Sequence, residues 1–464
     1  MLGSVPVAVS PGFLPLHPDA IPPASVPPRA IPTNTPGRDR TSSPSRDALR
    51  HVLAKLDLYS YTANMQYIPR RLSHLLPSLI QGYQAVFLAG PRQSGKTTLA
   101  RTSFPDLPFV NLESPLERAA LADDPIGFLS QFPSGAILDE IQNVPEALSY
   151  LQVLIDERPG ETFWVLTGSR QLDLQPSIGQ SLAGRAVMIE LLPFSHDEVL
   201  NSPVRPATLE DAVLRGGYPP LFDEDRQLDP GRWLENYLTA LINRDVYDTL
   251  PVRNRIAFDH FVRLCAARTG QIFEAASLAR ELAVDNKTVK LWVSVLEQCF
   301  IVRLLRPYHR NYGKRLVKRP KLFFVDSGLA CRLLQIGDVN QLRLHPLWGA
   351  LVETWCFTEV LKARLHRGLR PDCWFWRTSD GKEIDLLIEA GGTLYPIEIK
   401  STATSDPRLA KGIRVLRSLV AERGDGSVEI GPGLIVYGGD AERPCREDRF
   451  IPWQSIAAAL EPIP

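Results

Sequence analysis

The sequence predicts an α/β fold: a parallel sheet with helices on both faces, followed by a helical winged-helix module and a C-terminal α/β domain. Three observations lead to this prediction. Apolar strands alternate with helical segments over residues 86–191, which is typical of parallel sheets because each parallel connection needs a crossover. Apolar residues at helical spacing over residues 278–296 precede two apolar strands, as in a helix-turn-helix with a wing. Residues 383–400 then read as two strands joined by a short glycine turn.

The first strand of the sheet leads into a loop with the spacing G-x-x-x-x-G-K-[ST] at residues 90–97. Glycine at two positions lets the backbone curl so that successive amides point at phosphate oxygens, and the helix that follows adds its positive N-terminal end. We expect Lys96 to reach the β- and γ-phosphates of a nucleotide and Thr97 to hold Mg²⁺ through its hydroxyl. The predicted nucleotide-binding residues are Gly90, Pro91, Arg92, Gln93, Ser94, Gly95, Lys96, Thr97 and Thr98.

A later apolar strand ends in two acids, Asp139 and Glu140. Since parallel strands present their carboxyl ends at one edge of a sheet, Asp139 is expected beside the metal that Thr97 holds. Glu140 is then placed to polarise the attacking water as a general base. Two acids at the end of a strand are common, and it is their position after the phosphate loop that predicts a catalytic role.

Small hydroxyl residues and an arginine follow the next strand, at residues 162–166. There, Ser169 is predicted to contact the γ-phosphate or the attacking water. Arg170 and Arg185 are two candidates for an arginine that stabilises charge in the transition state. Either arginine could instead be an ordinary surface residue, and the sequence leaves open whether it acts within its own chain or on a neighbouring subunit.

Four segments carry a family resemblance, at residues 90–99, 138–142, 166–169 and 192–195. Together they resemble a prokaryotic group of AAA-type P-loop ATPases (NTPases) that carry a C-terminal domain of unknown function, itself similar to the PD-(D/E)xK restriction-endonuclease-like fold. Residues 216–219 and 243–245 also resemble segments usual in that group. The resemblance covers the chain from about residue 70 onward and implies ATP and Mg²⁺ as ligands, but it implies little about biological purpose.

The densest basic segment of the chain runs from Arg310 to Lys321, between the two strands of the predicted wing. A cationic wing suits the phosphate backbone of DNA, and such binding would depend on salt but hardly on base sequence. The alternatives are a solvated hairpin, and a wing that contacts an acidic face of the same protein or a protein partner. The basic residues are His309, Arg310, Lys314, Arg315, Lys318, Arg319 and Lys321, with Tyr308 and Tyr312 among them.

Charged residues alternate with apolar residues on the predicted C-terminal hairpin. With a period of two, Glu398 and Lys400 share one face of a strand whose partner carries Asp385. The two carboxylates could converge on one Mg²⁺ with Lys400 beside them, and Glu353 would supply a third carboxylate from a helix. This is the D…E-x-K arrangement of the nuclease-like fold, although Ile384 stands where that fold has its proline. A hairpin with solvated charges is the alternative, and DNA cleavage is left open.

Composition sets outer limits to these predictions. The 464 residues include 40 prolines, six cysteines without a C-x-x-C pair, and equal numbers of acidic and basic residues. This favours a cytoplasmic, reducing location and argues against structural zinc, a disulfide framework and a global attraction to nucleic acid. No apolar run reaches the ~20 residues that cross a bilayer, so no membrane partner is expected.

The predicted domains are a disordered proline-rich tail at 1–46, a P-loop AAA-type ATPase domain at 47–200, a helical linker or lid at 201–245, a winged helix-turn-helix at 246–335 and a nuclease-like domain at 336–464. The hypothesis is Mg²⁺-dependent ATP hydrolysis that controls the winged-helix and nuclease-like half on or near DNA. The alternative is a slow ATP-driven signalling or defence switch, or an adaptor, whose nuclease-like domain is an inactive recognition surface. A homo-oligomer or a protein partner is compatible with either.

Overall fold

The computed structural model describes residues 67–169, 182–247, 255–308, 318–423 and 428–464. The tail predicted at residues 1–46, Arg170 and the part of the basic segment from His309 to residue 317 lie outside these ranges. Within them, no helix is long and apolar enough to cross a membrane. All six cysteines are buried free thiols, so packing and hydrogen bonds, not disulfides, hold the described elements together.

The N-terminal part of the described chain is built on one sheet. In chain order its elements are α1 (Leu76–Leu79), β1 (Ala85–Ala89), α2 (Lys96–Ser103), β2 (Phe109–Asn111), α3 (Pro115–Asp123), α4 (Pro125–Ser130), β3 (Ile137–Asp139), α5 (Ala147–Glu157), β4 (Trp164–Gly168) and β5 (Ala186–Glu190). The strand order is β2-β3-β4-β1-β5, with all neighbours parallel. The predicted parallel sheet is confirmed.

Side chains on both faces of this sheet are buried, as a parallel sheet requires. In β1, Val86 and Leu88 pack in one apolar cluster with Leu99 of α2, whereas Phe87 packs in another cluster with Leu166 of β4. This alternation follows from the two-residue period of a strand. The carboxyl ends of β1, β3 and β4 lie side by side, so the loops that follow these strands meet at one edge.

The middle part is mainly helical. Its elements are α6 (Leu209–Arg215), α7 (Pro230–Leu241), α8 (Arg255–Ala267), β6 (Gln271–Ile272), α9 (Ala275–Glu281), α10 (Asn286–Gln298), β7 (Val302–Leu305), β8 (Lys321–Phe324), α11 (Ser327–Leu333) and α12 (Val339–Leu344). A π-helical turn, Ile242–Val246, extends α7. The three strands form a small antiparallel sheet in the order β6-β8-β7. Helices α9 and α10 precede β7 and β8, as the sequence predicts, while a DNA-binding winged helix stays a prediction.

The C-terminal part contains a mixed sheet. Its elements are α13 (Trp348–Leu365), β9 (Cys373–Arg377), β10 (Glu383–Ala390), β11 (Thr393–Lys400), α14 (Lys411–Arg423), β12 (Glu429–Ile430), β13 (Leu434–Tyr437), β14 (Arg443–Cys445), β15 (Asp448–Pro452) and α15 (Ile456–Leu460). The strand order is β14-β15-β13-β11-β10-β9, with β12 beside β11. Strands β10 and β11 form the expected hairpin, in which Leu386 lies opposite Ile397. A nuclease-like fold for this part stays a prediction.

Buried polar contacts connect the N-terminal sheet with the other two parts. Arg303 of β7 pairs with Glu190, the last residue of β5, at 2.5 Å. In the segment after β5, the amide of His196 donates to the carboxylate of Glu359 in α13 at 2.8 Å. Because these contacts are buried or half-buried, a displacement of the segment around β5 would break or shift hydrogen bonds to both neighbouring parts.

Candidate active site

The loop between β1 and α2 has the backbone shape that its motif predicts. Gly95 has a φ of +94° and Gln93 a φ of +60°, so two loop residues are in the left-handed region. A Cβ at Gly90 would lie 2.1 Å from the carbonyl oxygen of Leu191, so only glycine allows this close approach. Ser94 is fully buried, and its hydroxyl has no hydrogen-bond partner among the described residues. The loop therefore holds a buried hydroxyl that a bound phosphate could satisfy.

Lys96 lies at the first position of α2 and is folded under the loop. The residue is only 4% exposed, and its Nζ donates to the carbonyl oxygens of Gly90 and Pro91 at 2.9 Å each. A buried ammonium group and the N-terminus of α2 both give this loop a positive potential. The geometry thus fits the phosphate-binding role predicted for Lys96.

Asp139 ends β3 and faces the start of α2. Its carboxylate accepts hydrogen bonds from the Thr97 hydroxyl at 2.9 Å and from the Thr167 hydroxyl at 2.6 Å. Burial raises the pKa of Asp139, the two hydroxyl hydrogen bonds lower it, and the charge of Glu140 adds to the rise. Oxygen atoms of this kind are the ligands that Mg²⁺ prefers. The structure therefore brings together the two residues, Thr97 and Asp139, that the sequence predicts as metal ligands.

Glu140 adopts a left-handed conformation with a φ of +58°, which ends β3 after three residues. Its carboxylate accepts a hydrogen bond from the Ser169 hydroxyl at 2.9 Å and another from the side-chain amide of Gln142. Burial acts to raise the pKa of Glu140, but the charges of Lys96 and Arg92 and these hydrogen bonds outweigh it and lower the pKa. Glu140 is thus ionised at neutral pH and able to accept a proton. Gln142 has no role in the sequence predictions, although it ends one of the segments that carry the family resemblance.

Arg185 does not lie with these residues. Its carbonyl oxygen accepts hydrogen bonds from the amides of Gln84 and Ala85, at the start of β1, which is the opposite edge of the sheet. Its guanidinium makes two hydrogen bonds to Asp156, at 2.5 and 2.8 Å. The length of the sheet separates Arg185 from the phosphate loop of its own chain, so the structure does not bring it together with the other predicted site residues, and a role on a neighbouring subunit stays a prediction.

A buried arginine supports the phosphate loop, and no local sequence signal identifies it. Arg70 donates to the carbonyl oxygens of Ser94 at 2.6 Å and of Leu192 at 2.7 Å, and it pairs with Glu198 at 2.9 Å. Burial would raise the pKa of Glu198, but the charges of Arg70 and His366 and two backbone hydrogen bonds lower it to about 2. This ion pair therefore stays charged and fixes the loop against the segment after β5.

A second group reaches the phosphate loop from the middle part of the chain. The hydroxyl of Tyr237, in α7, donates to the carbonyl oxygen of Arg92 at 3.0 Å. The Arg92 guanidinium pairs with Glu113 at 3.0 Å, and Arg244, in the π-helical turn after α7, pairs with the same carboxylate at 3.2 Å. Sequence reasoning missed Glu113 and assigned no role to Arg244, because these partners are far apart along the chain.

In the C-terminal part, a lysine from β8 lies among the predicted metal ligands. Lys321 pairs with Glu353 of α13 at 2.6 Å and with Glu383 of β10 at 2.5 Å. Its side chain is 3% exposed, so Lys321 is not part of a solvent-facing basic wing as the sequence predicts. Arg319, its neighbour in the basic segment, pairs with Glu274. Lys321 is therefore removed from the residues of this segment that are predicted to contact DNA.

A second lysine lies beside the hairpin acids. Lys400 lies 2.7 Å from the carboxylate of Glu398 and 3.2 Å from that of Asp385, which also accepts from the amide of Ile399. No group of three or more His, Cys, Asp and Glu side chains in the described ranges is placed to hold a metal ion. Glu353 thus lies in a set of contacts centred on Lys321, whereas Asp385 and Glu398 lie together beside Lys400, and the Mg²⁺ site of Glu353, Asp385 and Glu398 stays a prediction.

Burial dominates the titration of these C-terminal acids. It raises the pKa of Glu398 to about 8, with the charge of Asp385 acting in the same direction and Lys400 opposing it. Burial likewise raises the pKa of Glu353 to about 7, although the charge of Lys321 opposes the rise. The cluster thus holds protons at a pH where ordinary carboxyl groups have lost them.

Three family models match successive parts of the chain. Residues 82–200 match a model described as AAA domain. Residues 206–340 and 348–456 match two models described as domains of unknown function, DUF8612 and DUF4143 respectively. The AAA match, with the loop geometry above, supports an ATP-binding P-loop ATPase in the N-terminal part.

Two mycobacterial relatives match most of the chain. The uncharacterized proteins Rv2008c of Mycobacterium tuberculosis and Mb2031c of Mycobacterium bovis are each 34% identical over 350 residues, which cover 74% of this chain and 74% of theirs. Among solved structures, the Walker-type ATPase PABY2304 of Pyrococcus abyssi is similar with a TM-score of 0.39 and 14% identity, over 58% of this chain and 96% of that one.

Proposed function

The chain belongs to the protein family of the mycobacterial proteins Rv2008c and Mb2031c, and we propose that it is a Mg²⁺-dependent ATPase whose site is built by Lys96, Thr97, Asp139 and Glu140. One observation carries this proposal. The Thr97 hydroxyl meets the Asp139 carboxylate at 2.9 Å, directly beside a phosphate loop whose lysine is buried.

Each residue has a role that its surroundings support. Lys96 and the loop amides bind the β- and γ-phosphates, and Ser94 supplies a buried hydroxyl. Thr97 and Asp139 would hold Mg²⁺, which when bound neutralises charge on the phosphate oxygens. Glu140 accepts a proton from the attacking water, and Ser169, which donates to Glu140 at 2.9 Å, orients that carboxylate.

Lys96→Ala tests the proposal on the full chain. Removing a cation from a phosphate clamp is expected to lower ATP turnover by about 10²- to 10³-fold. The measurement is phosphate release from ATP with Mg²⁺, and the matched control is Lys411→Ala, an exposed lysine at the start of α14. Equal turnover in the Lys96 variant and the unmodified protein would end the ATPase proposal.

For the C-terminal half we propose a recognition surface that does not cut DNA. Lys321 and Lys400 each pair with two carboxylates, which supports the alternative of an ATP-driven switch with an inactive nuclease-like domain. A nicking assay on supercoiled DNA with Mg²⁺ or Mn²⁺ tests this proposal, with Asp385→Ala as the control. Nicks that the unmodified protein makes and the Asp385 variant does not would overturn it.

DNA stays the proposed partner of the basic segment through Arg310, Lys314, Arg315 and Lys318. Neutralising Lys314, Arg315 and Lys318 together is expected to weaken DNA binding and to lower its salt slope by about one unit per lost phosphate contact. The measurement is a binding titration at several salt concentrations. Unchanged affinity and slope would instead favour a protein partner or a second copy of the chain as the ligand of this segment.

A further inference from the structure

Two arginines from distant parts of the chain share one carboxylate beside the phosphate loop. Glu113, which follows β2, accepts from Arg92 at 3.0 Å and from Arg244 at 3.2 Å. Arg92 belongs to the loop itself. Burial acts to raise the pKa of Glu140, but the charges of Lys96 and Arg92 lower it. Glu113 lies two residues after Asn111, which is the register partner of Asp139, so Glu113, Arg92 and Arg244 together place a net positive charge beside the edge of the sheet that carries the candidate site.

The helix that carries Arg244 touches the loop a second time. Tyr237 of α7 donates to the backbone carbonyl oxygen of Arg92 at 3.0 Å, and its ring stacks on Trp233 with 5.0 Å between centroids and 11° between planes. Between Tyr237 and Arg244 the helix passes into the π-helical turn Ile242–Val246. Such turns often occur at functional positions because they re-aim the side chains that they carry. The helix is thus joined to the loop directly by a hydrogen bond to its backbone and indirectly, through Glu113, by contacts between charges.

The ion pair of Glu113 and Arg244 is much more exposed to solvent than the ion pair of Arg70 and Glu198, which supports the loop. The side chains of Arg70 and Glu198 are 3% and 0% exposed, so exchanging either partner would leave a buried charge unpaired. The side chains of Glu113 and Arg244 are 37% and 59% exposed. An ion pair with this much solvent access costs little to exchange for another anion.

We infer that Glu113 is an exchangeable counter-ion, and that Arg244 reads the terminal phosphate of a nucleoside triphosphate by leaving Glu113 for it. A terminal phosphate carries more negative charge and more acceptor oxygens than one carboxylate, so it competes well for guanidinium groups. A diphosphate lacks that group. Arg244 is therefore a specificity-determining residue for triphosphate over diphosphate, and α7 responds to the difference. This inference rests on the proposed ATP site.

Equilibrium binding of ADP and of a non-hydrolysable ATP analogue to the full chain, with Mg²⁺, tests the inference. Arg244→Ala is expected to weaken binding of the analogue at least about fivefold while ADP binding stays within about twofold. Glu113→Gln is expected to act in the opposite direction and to tighten binding of the analogue. The matched controls are Arg332→Ala and Glu235→Gln, which remove an exposed ion pair at α7 and should change neither affinity.

Tryptophan fluorescence gives a readout that does not depend on affinity. Because Trp233 stacks on Tyr237, the analogue at saturation is expected to change the emission more than ADP does. Trp233→Phe should remove that difference, and Arg244→Ala should abolish it as well.

Two results would overturn the role of Arg244 alone, and a third would overturn the proposed ATP site as well. Equal weakening of both nucleotides by Arg244→Ala would overturn the inference, since it would indicate a structural role. Weaker binding of the analogue to Glu113→Gln would also overturn the inference. It would show that Glu113 holds the two arginines in place for nucleotide binding and does not compete with the phosphate for them. If the unmodified protein binds neither nucleotide, the proposed function itself fails and the inference fails with it.

Discussion

Two acidic clusters in this chain differ in what surrounds them. At the carboxyl edge of the N-terminal sheet, Asp139 and Glu140 receive hydrogen bonds from hydroxyl and amide groups. In the C-terminal part, the corresponding neighbours of Glu353 and Glu398 are ammonium groups of buried or half-buried lysines. The difference teaches that a set of carboxylates is not a metal site by itself, and that the nearest counter-charge decides what it can bind.

The chemistry of the neighbours explains the contrast. A hydroxyl oxygen has lone pairs and can itself join the ligands of a cation, as Thr97 can beside Asp139. An ammonium group has no lone pair and supplies positive charge itself, as Lys321 does beside Glu353 and Lys400 does beside Glu398.

Glu140→Gln is expected to lower ATP turnover about a hundredfold while the Kd for ATP stays within about threefold. The amide keeps the size of the side chain but cannot take a proton from water. Steady-state turnover and equilibrium binding measure the two quantities. Glu146→Gln, an exposed acid shortly after it in the chain, is the control. A variant that loses binding and turnover together would contradict the assigned role.

Lys321→Met is expected to lower the free energy of unfolding by about 3 kcal/mol, because it leaves buried carboxylates without their counter-charge. Urea denaturation measures the change, and Lys411→Met serves as the exposed control. An unchanged midpoint in urea would show that Lys321 does not neutralise this cluster.

Stability should fall as the pH rises from about 4.5 to about 8, the interval between the ordinary pKa of a glutamate and that of folded Glu398. In this interval the folded protein keeps a proton that the unfolded chain has lost, so raising the pH favours unfolding. Glu398→Gln removes this titration. The fall in the free energy of unfolding over this pH interval should therefore be smaller in the variant by at least about 1 kcal/mol. Urea unfolding at both ends of the interval measures it, with Glu429→Gln as control; the same slope in both variants would count against Glu398.

Arg185→Ala should have the smallest effect, with ATP turnover within about twofold of the unmodified protein, because its exposed pair with Asp156 lies at the far edge of the sheet. A drop of about tenfold or more would instead assign Arg185 to the site of a neighbouring subunit, as an arginine that acts between chains. Turnover measured across a range of protein concentrations distinguishes the two outcomes.

The placement of the phosphate loop beside the acids after β3 was predictable because it depends on local features of the sequence. The loop at residues 90–97 and the acids after β3 depend on short spacing and on strand ends that a parallel sheet must bring together. The limits of this reasoning show at Glu140, where a left-handed residue ends the strand earlier than the apolar pattern suggests.

The partners of these residues were not predictable, because they depend on tertiary placement. Arg244 lies 131 residues from Glu113, and Lys321 lies 32 residues from Glu353. In the sequence, Lys321 ends a basic segment that is typical of a solvated surface, and nothing in that pattern reveals a lysine 3% exposed. Ion pairs of this kind have no fixed spacing, so only the fold identifies them.

The position of Lys321 on β8 has a consequence for how this architecture can be inherited. The cation that balances Glu353 and Glu383 belongs to the middle part of the chain, although both acids belong to the last. A recombination event that joined only α13 and the strands β9 to β15 to another protein would transfer the acids without their cation. The segment that carries Lys321 and the segment that carries Glu353 and Glu383 are therefore expected to be inherited together.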